Sequence, residues 1–382
     1  MKKEDIKVVI AIDSFKGSIS SKDAAIAIER GILNYSKDKV LIEKVIVADG
    51  GEGTVEAIVE NTKGKYEYVE VSNPFGKKRK AKIGILKGEI AVLEMAEAAG
   101  INLIKLDDLN PYKTTTYGVG EMIKIVLNMG IKKIYIGLGG SATNDGGAGM
   151  LNALGVKFYD KYKNEFVPTP EKLRNLESID YSELDKRLKD IDIHILSDVN
   201  NILCGMNGAS YIYGPQKGAT KKDVVVLDEI LRKYSEILDE KLGVKFADKP
   251  GSGAGGGIGY AFLSLCNGKF NQGIDEILKM IEFEKIISDA DLIITGEGRI
   301  DNQSINGKTP IGIAKISKKY EKSVIAIVGS SSKELDLIYQ NGIDLVLDII
   351  NEPMNLDEAI NNVKQLLEFT GEKAIRAYML RK

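Results

Sequence analysis

The sequence reads as an α/β protein with a mainly parallel sheet, and three features predict this. Apolar runs of strand length alternate with stretches whose apolar residues recur at helical spacing. Glycine, 40 of the 382 residues, gathers where the strand-like runs end. At roughly 150 residues per domain, the length calls for two or three packed units.

The elements follow in order. The run KVVIAID (7–13) is a short buried strand, and 21–35 shows helical spacing behind a Ser20/Ser21 cap. A second strand (40–49) and a second helix (53–62) come next. The pattern then changes. Residues 66–94 read as three short strands joined by turns at Asn73-Pro74 and Lys87-Gly88, a meander foreign to a doubly wound sheet and the mark of a nearby boundary. The alternation resumes with a strand at 132–140 and a helix in GAGMLNALG. It continues with a strand at 289–298 and a helix in GKTPIGIAKISKKY. Strands at 323–330 and 344–350 flank KELDLIYQNG, and a helical stretch runs from Leu356 to Met379. With no low-complexity linker, a boundary can be crossed by structured chain, as when one domain is inserted into another.

Composition mainly excludes. Lys+Arg 53 against Asp+Glu 55 leaves a net charge of −2, which provides no basic field for nucleic acid or an anionic membrane. No apolar run approaches the roughly 18 residues of a membrane helix, and MKKEDIKVVIAID reaches Asp13 too soon for a signal peptide. Two cysteines, Cys204 and Cys266, make no disulfide framework and suit a reducing, cytoplasmic setting. The single histidine, His194, excludes His-rich metal sites and, between Ile193 and Ile195, reads as a sheet-face residue. The basic cluster Lys77, Lys78, Arg79 and Lys80 reads as a solvated hairpin turn.

The glycines carry the chemistry. They end DSFKG at Gly17, occupy Gly50, Gly51 and Gly53, cluster within 137–149 and 251–259, and return at Gly296 and Gly298. Ligands of open α/β sheets bind outside the carboxyl ends of strands, and glycine lets backbone N–H groups approach a phosphate there. A single such loop could equally be a strand-to-helix turn; five with hydroxyl or charged neighbours predict a phosphate-handling crevice. Cations (Lys16, Lys217, Arg299) and carboxylates (Asp198, Asp301) share these loops, a mixture that fits phosphoryl transfer with Mg²⁺. The alternative is an NAD-dependent oxidoreductase of a small hydroxy acid, resting on Gly137, Gly139, Ala142 and Asp160. Against it, Asp145 puts a charge where pyrophosphate would sit. A non-catalytic nucleotide- or metabolite-binding regulator is a further alternative, opposed by the density of charge at the strand ends. Gly307-Lys308-Thr309 resembles the tail of a P-loop, but Asn302 stands where its first glycine belongs.

Six segments in one order, DSFKGS (13–18), ADGGEGT (48–54), NPYKTTTYG (110–118), GGSATNDGGAGML (139–151), YGPQKGAT (213–220) and ITGEGRIDNQS (294–304), together resemble the bacterial glycerate kinase family. The resemblance departs at Asn200-Asn201-Ile202, where the family carries a proline in place of Ile202. It implies ATP-dependent phosphorylation of D-glycerate, with 2-phosphoglycerate favoured. It also implies a Rossmann-like parallel-sheet domain from 1–75 and 280–382, a second α/β domain inserted at 76–279, and an active site in the cleft between them.

On that basis Asp198 is expected to orient the attacking hydroxyl or take its proton, and Lys16 to stabilise the phosphoryl oxygens. Arg299 is expected to clamp the substrate carboxylate or a phosphate, with Asp13, Ser14 and Lys217 as further substrate contacts. Asp301, with Asp49 or Asp145, is expected to hold Mg²⁺. Gly139, Gly140, Ser141, Asn144, Gly146, Gly147, Gly255 and Gly256, with Gly296 and Glu297, are the nucleotide candidates. The partners are then ATP and a small acid, with neither nucleic acid nor membrane, on a monomer or homodimer.

Overall fold

The apolar runs of the two chain ends meet in one sheet. In the computed structural model, which describes residues 6–305 and 307–380, the chain opens with β1 (Ile6–Ile12) and β2 (Val40–Ile46). The first five residues of the N-terminal stretch read above lie outside the described residues. The middle of the chain supplies β3 (Lys65–Ser72), β4 (Lys78–Leu86), β5 (Ile90–Glu94) and β6 (Lys133–Gly137). It goes on to β7 (Lys157–Asp160), β8 (Leu176–Asp180), β9 (Asp192–Leu196) and β10 (Lys269–Asn271). The last part adds β11 (Leu292–Ile300), β12 (Ser323–Ser331) and β13 (Leu345–Asp348).

Two compact units divide the chain. Unit 1 takes the chain up to Asp49, Glu56–Lys63, and everything from Gln272 on; unit 2 takes Gly50–Val55 and Gly64–Asn271. The boundaries expected at 75/76 and 279/280 therefore lie at 63/64 and 271/272, and strand pairing is the reason. β3 pairs antiparallel with β4 in the sheet of unit 2, and β10 pairs with β9 there, so both stay with unit 2.

Unit 1 is an all-parallel sheet in the order β13-β12-β11-β1-β2. Numbered within the unit this is the 2-1-3-4-5 order of flavodoxin-like doubly wound sheets, not the 3-2-1-4-5-6 order of the dinucleotide fold. Its switch point lies between β1 and β11. Val8, Ile10 and Ile12 bury in one core with Ile28 and Ile32 of helix Ser21–Ser36 and Leu367 and Ile375 of helix Val363–Met379. Val9 and Ala11 point to the opposite face and are just as buried. Both faces being covered is why the strand reads as an unbroken apolar run. Helix Thr309–Lys319 packs against β1, β11 and β12.

Unit 2 holds the mixed sheet β10-β9-β6-β5-β4-β3, with the β3–β4–β5 meander antiparallel and the remaining pairs parallel. Asn73 closes the first turn of the meander, its Oδ1 accepting from the Phe75 and Lys77 amides at 3.0 and 2.9 Å. Leu93, Ile136 and Ile195 form its core with helices Tyr117–Asn128, Lys221–Leu242 and Ala254–Leu265. The longest of these begins with a reciprocal cap between Thr220 and Asp223 and ends at left-handed Gly243. His194 stacks on Tyr135 and bonds Asn271 and Asp192, each at 2.8 Å, a satisfied sheet-face residue. Among the described residues no helix is long and apolar enough to cross a membrane.

Candidate active site

In unit 1, β1 delivers Asp13 to the carboxyl end of the sheet at the switch point. The Asp13 amide donates to the Gly296 carbonyl at 3.0 Å, tying the end of β1 to β11. Its carboxylate accepts from the Ser14 amide at 2.6 Å and the Thr309 hydroxyl at 2.8 Å. Only 6% of Asp13 is exposed. Burial, reinforced by the charge of Asp49, pushes its carboxyl up to about 7, although Thr309, Ser14 and Lys16 pull the other way. A carboxylic acid poised at neutrality can take up or hold a proton at working pH.

The chain then folds back on itself: the Phe15 amide donates to Ile19 and the Ile19 amide to Phe15, with Gly17 left-handed between them (φ 78°). A side chain at Gly17 would be strained there, so glycine is what lets the turn present Lys16 outward. The Lys16 ammonium stands 3.2 Å from Asp49 and is itself exposed. The negative charge of Asp49 raises its pKa, so it is a fixed cation at neutral pH.

β11 brings the next groups. Glu297 accepts from the Ser304 hydroxyl at 2.9 Å and pairs with Lys308 at 3.3 Å; burial raises its carboxyl against the pull of Lys308. Arg299 lies 3.6 Å from Asp301 and is exposed. A cavity of about 670 Å³ opens onto Asp13, Lys16, Asp49, Glu297, Arg299 and Lys308; Ser14 also lines it, and Asp301 does not.

Lys308 lines the cavity and Thr309 bonds Asp13, and neither is among the residues to which the sequence assigns a role. Thr309 opens helix Thr309–Lys319, so its hydroxyl and the helix dipole both act on Asp13. The signal was the Gly-Lys-Thr run ahead of an apolar helical pattern, set aside for want of a first glycine.

Unit 2 employs its glycine loops differently. Asp145 is fully buried, and its carboxylate accepts from the Thr116 amide (2.8 Å) and hydroxyl (2.9 Å) and from the Gly147 (3.1 Å) and Gly149 (3.2 Å) amides. These donors sit at the starts of helices Tyr117–Asn128 and Ala148–Ala153, so the carboxylate caps both. Instead of facing solvent as a metal ligand, Asp145 is spent inside the unit. Asp145→Ala is expected to lose about 3 kcal/mol of stability in urea unfolding, because it orphans several buried donors together.

The same holds for the neighbouring candidates. The Gly146 amide donates to Gly256, Asn144 donates to the Ser210 hydroxyl at 2.9 Å, and Lys217 donates to Ser141 (2.7 Å) and the Thr143 carbonyl (2.6 Å). Lys217 is 1% exposed, and burial pushes its ammonium down to about 7. Gly256 is left-handed, and a Cβ there would lie 1.9 Å from the Thr143 carbonyl. Among the nucleotide candidates of this unit, Gly139, Gly140 and Gly255 keep some exposure. Asp198 follows β9 and is half-buried. Asp160 spends its carboxylate on the Tyr162 and Asn164 amides of its own turn, at 2.8 and 2.9 Å.

Comparison with known proteins identifies the family. The model of the glycerate kinase family matches residues 8–379. A glycerate kinase of Bacillus subtilis (strain 168) is 43% identical over 378 residues, covering 99% of each chain. A glycerate 2-kinase of Escherichia coli (strain K12) is 45% identical over 355 residues, covering 93% of each. The crystal structure of a candidate glycerate kinase 2 from Salmonella typhimurium LT2 superposes with a TM-score of 0.82 at 41% identity, covering 98% of this chain and 99% of that one. The chain belongs to the glycerate kinase family and is a phosphotransferase.

Proposed function

We propose that the protein transfers the γ-phosphoryl group of ATP to D-glycerate at the cavity of unit 1, with 2-phosphoglycerate as the favoured product. One observation carries this reading. A buried carboxyl poised near neutrality, Asp13, shares the cavity at the switch point with three cations, Lys16, Arg299 and Lys308.

The hydroxyl oxygen of glycerate bonds to the γ-phosphorus as the bond to the bridging oxygen of ADP breaks. The hydroxyl proton passes to Asp13. Little covalent work falls to the protein, which positions the reactants and neutralises charge. Lys16, on its outward turn, meets the equatorial phosphoryl oxygens as a point charge. Arg299 offers a planar fork to the glycerate carboxylate. Lys308, on the cavity wall, receives phosphate as a second point charge.

A kinase family implies MgATP as donor. Asp49 raises the carboxyls of both Asp13 and Glu297, an excess of negative charge that a divalent cation relieves. Mg²⁺ is ordinarily held by one or two carboxylates together with substrate phosphates, and Asp49 and Glu297 fit that demand. When bound there it supplies neutralisation of the phosphate charge.

Purified protein is expected to consume ATP only when D-glycerate and Mg²⁺ are both present, with a single 2-phosphoglycerate resonance by ³¹P NMR. ATP consumption independent of D-glycerate overturns the substrate. A 3-phosphoglycerate product overturns the favoured position.

A further inference from the structure

Two unlike sets of residues line the cavity of unit 1, and the strand order sets them apart: the charged ones lie on or after β1, β2 and β11, whereas the aliphatic ones follow the edge strand β13, two strands beyond β11. The polar end of the cavity is described above. The other is walled by the chain that follows β13, through Ile349, Ile350, Met354, Leu356, Ala359 and Ile360. Leu356 is 74% exposed, Ile350 37% and Ile360 36%. Single exposed aliphatic side chains are ordinary, but several around one cavity mark a binding surface.

The wall is also held in shape. Asn355 and Glu358 cap one another, the Asn355 side chain accepting from the Glu358 amide at 2.9 Å and the Glu358 carboxylate from the Asn355 amide at 3.0 Å. That exchange fixes the start of helix Leu356–Asn361, which carries Leu356 and Ile360 four residues apart and so on one face.

The substrates of the proposed reaction differ in what they could place there. Glycerate is a small acid with oxygen on every carbon, and it has no apolar surface to offer this wall. At about 670 Å³ the cavity falls in the roughly 300–1,000 Å³ range that takes a ligand far larger than glycerate. ATP carries polar phosphates at one end and a flat purine with apolar faces at the other, matching a cavity polar at one end and apolar at the other.

We infer that the wall formed by Ile350, Leu356 and Ile360 seats the adenine ring of ATP. The inference rests on the phosphoryl-transfer reading above and adds to it the position of the donor's base. The ring lies against aliphatic side chains and is held by apolar contact, while the phosphates extend toward Lys16 and Lys308.

Adenosine and inorganic tripolyphosphate separate the two ends. Each is expected to compete with a fluorescent ATP analogue for the wild-type protein. In the Leu356→Ser/Ile360→Ser double variant, adenosine should bind about 10-fold more weakly or worse, while tripolyphosphate competes as before. The KM for ATP should rise by a similar factor and the KM for D-glycerate by less than twofold. Unchanged adenosine competition overturns the inference, and so does a KM rise confined to D-glycerate. A change in sedimentation coefficient on substitution also overturns it, in favour of a second copy of this chain as the occupant of the wall. Both side chains are substantially exposed, so folding should survive; Leu356→Ser alone, at the more exposed position, repeats the test if the double variant unfolds. Wild-type protein that turns over glycerate while the variant binds adenosine normally defeats this inference alone. Wild-type protein without ATP- and glycerate-dependent turnover defeats the reaction instead.

Discussion

Lys16→Ala is expected to lower kcat by about 10²–10³-fold, the usual cost of removing one preorganised charge from a developing oxyanion. The side chain is 66% exposed and its ion pair with Asp49 is a surface one, so stability should change by no more than roughly 0.5 kcal/mol. A loss of turnover without a loss of fold separates chemistry from packing. The substitution has a second consequence. Lys16 draws the Asp13 carboxyl down, and Asp49 pushes it up. Without the ammonium only the Thr309 and Ser14 hydrogen bonds oppose burial and the Asp49 charge, so the pH at which Asp13 ionises should move upward. Steady-state kinetics across pH 5.5–9 read both effects, roughly spanning the poised range. Turnover within tenfold of wild type, with an unmoved acid limb, excludes Lys16 from phosphoryl stabilisation.

Asp13→Asn carries the other large effect, an expected fall of about 10²–10⁴-fold in kcat, the range typical of general acid–base groups. The sign of the pH dependence follows from the direction of its shift. A base must be ionised to accept a proton, and Asp13 ionises at about 7. In wild type, kcat/KM for ATP, which reports the free enzyme, should therefore rise with pH through about 7. The asparagine variant should lack that limb. Stability moves oppositely. The folded carboxyl holds its proton from the unfolded value near 3.8 up to about 7, so its contribution is full below the former and lost as pH rises through the latter. At pH 8 the wild-type protein carries a buried, ionised carboxylate, and the asparagine variant does not. Its melting temperature should hold or rise even as activity collapses. Asp198→Asn is the matched comparison. If that variant loses the limb and Asp13→Asn keeps it, Asp198 is the base.

Much of unit 1 was legible in the sequence because its signals are local. A strand covered on both faces reads as an apolar run, and the run at 7–13 ends on the aspartate that the fold places at the switch point. Gly17 marks its turn, and Lys16 beside it reads as the exposed charge. Legibility fell where a residue's use depends on distant chain. Thr309 lies 296 positions from the Asp13 carboxylate that its hydroxyl touches, and no local pattern announces that meeting. The glycine-rich segment around Asp145 shows the converse. Glycines beside an aspartate suggest phosphate and metal, yet three of those glycine amides donate to groups within unit 2. Composition does not distinguish a glycine that admits a ligand from one that admits a neighbouring backbone.

The sequence by itself determined the alternation of strands and helices, the meander at 66–94, the absence of a basic field, and the family whose motifs it carries. These depend on periodicity, turn chemistry and residue identity, which are properties of short stretches of chain. Only the tertiary structure decided that β3 and β10 belong to unit 2, that the parallel sheet has its switch point between β1 and β11, and which charged residues share a cavity. It also decided which carboxylates titrate near neutrality. Burial and the neighbouring charge that move Asp13 come from Asp49 and the elements packed over it, and they arise only when β1, β11 and helix Thr309–Lys319 are brought together.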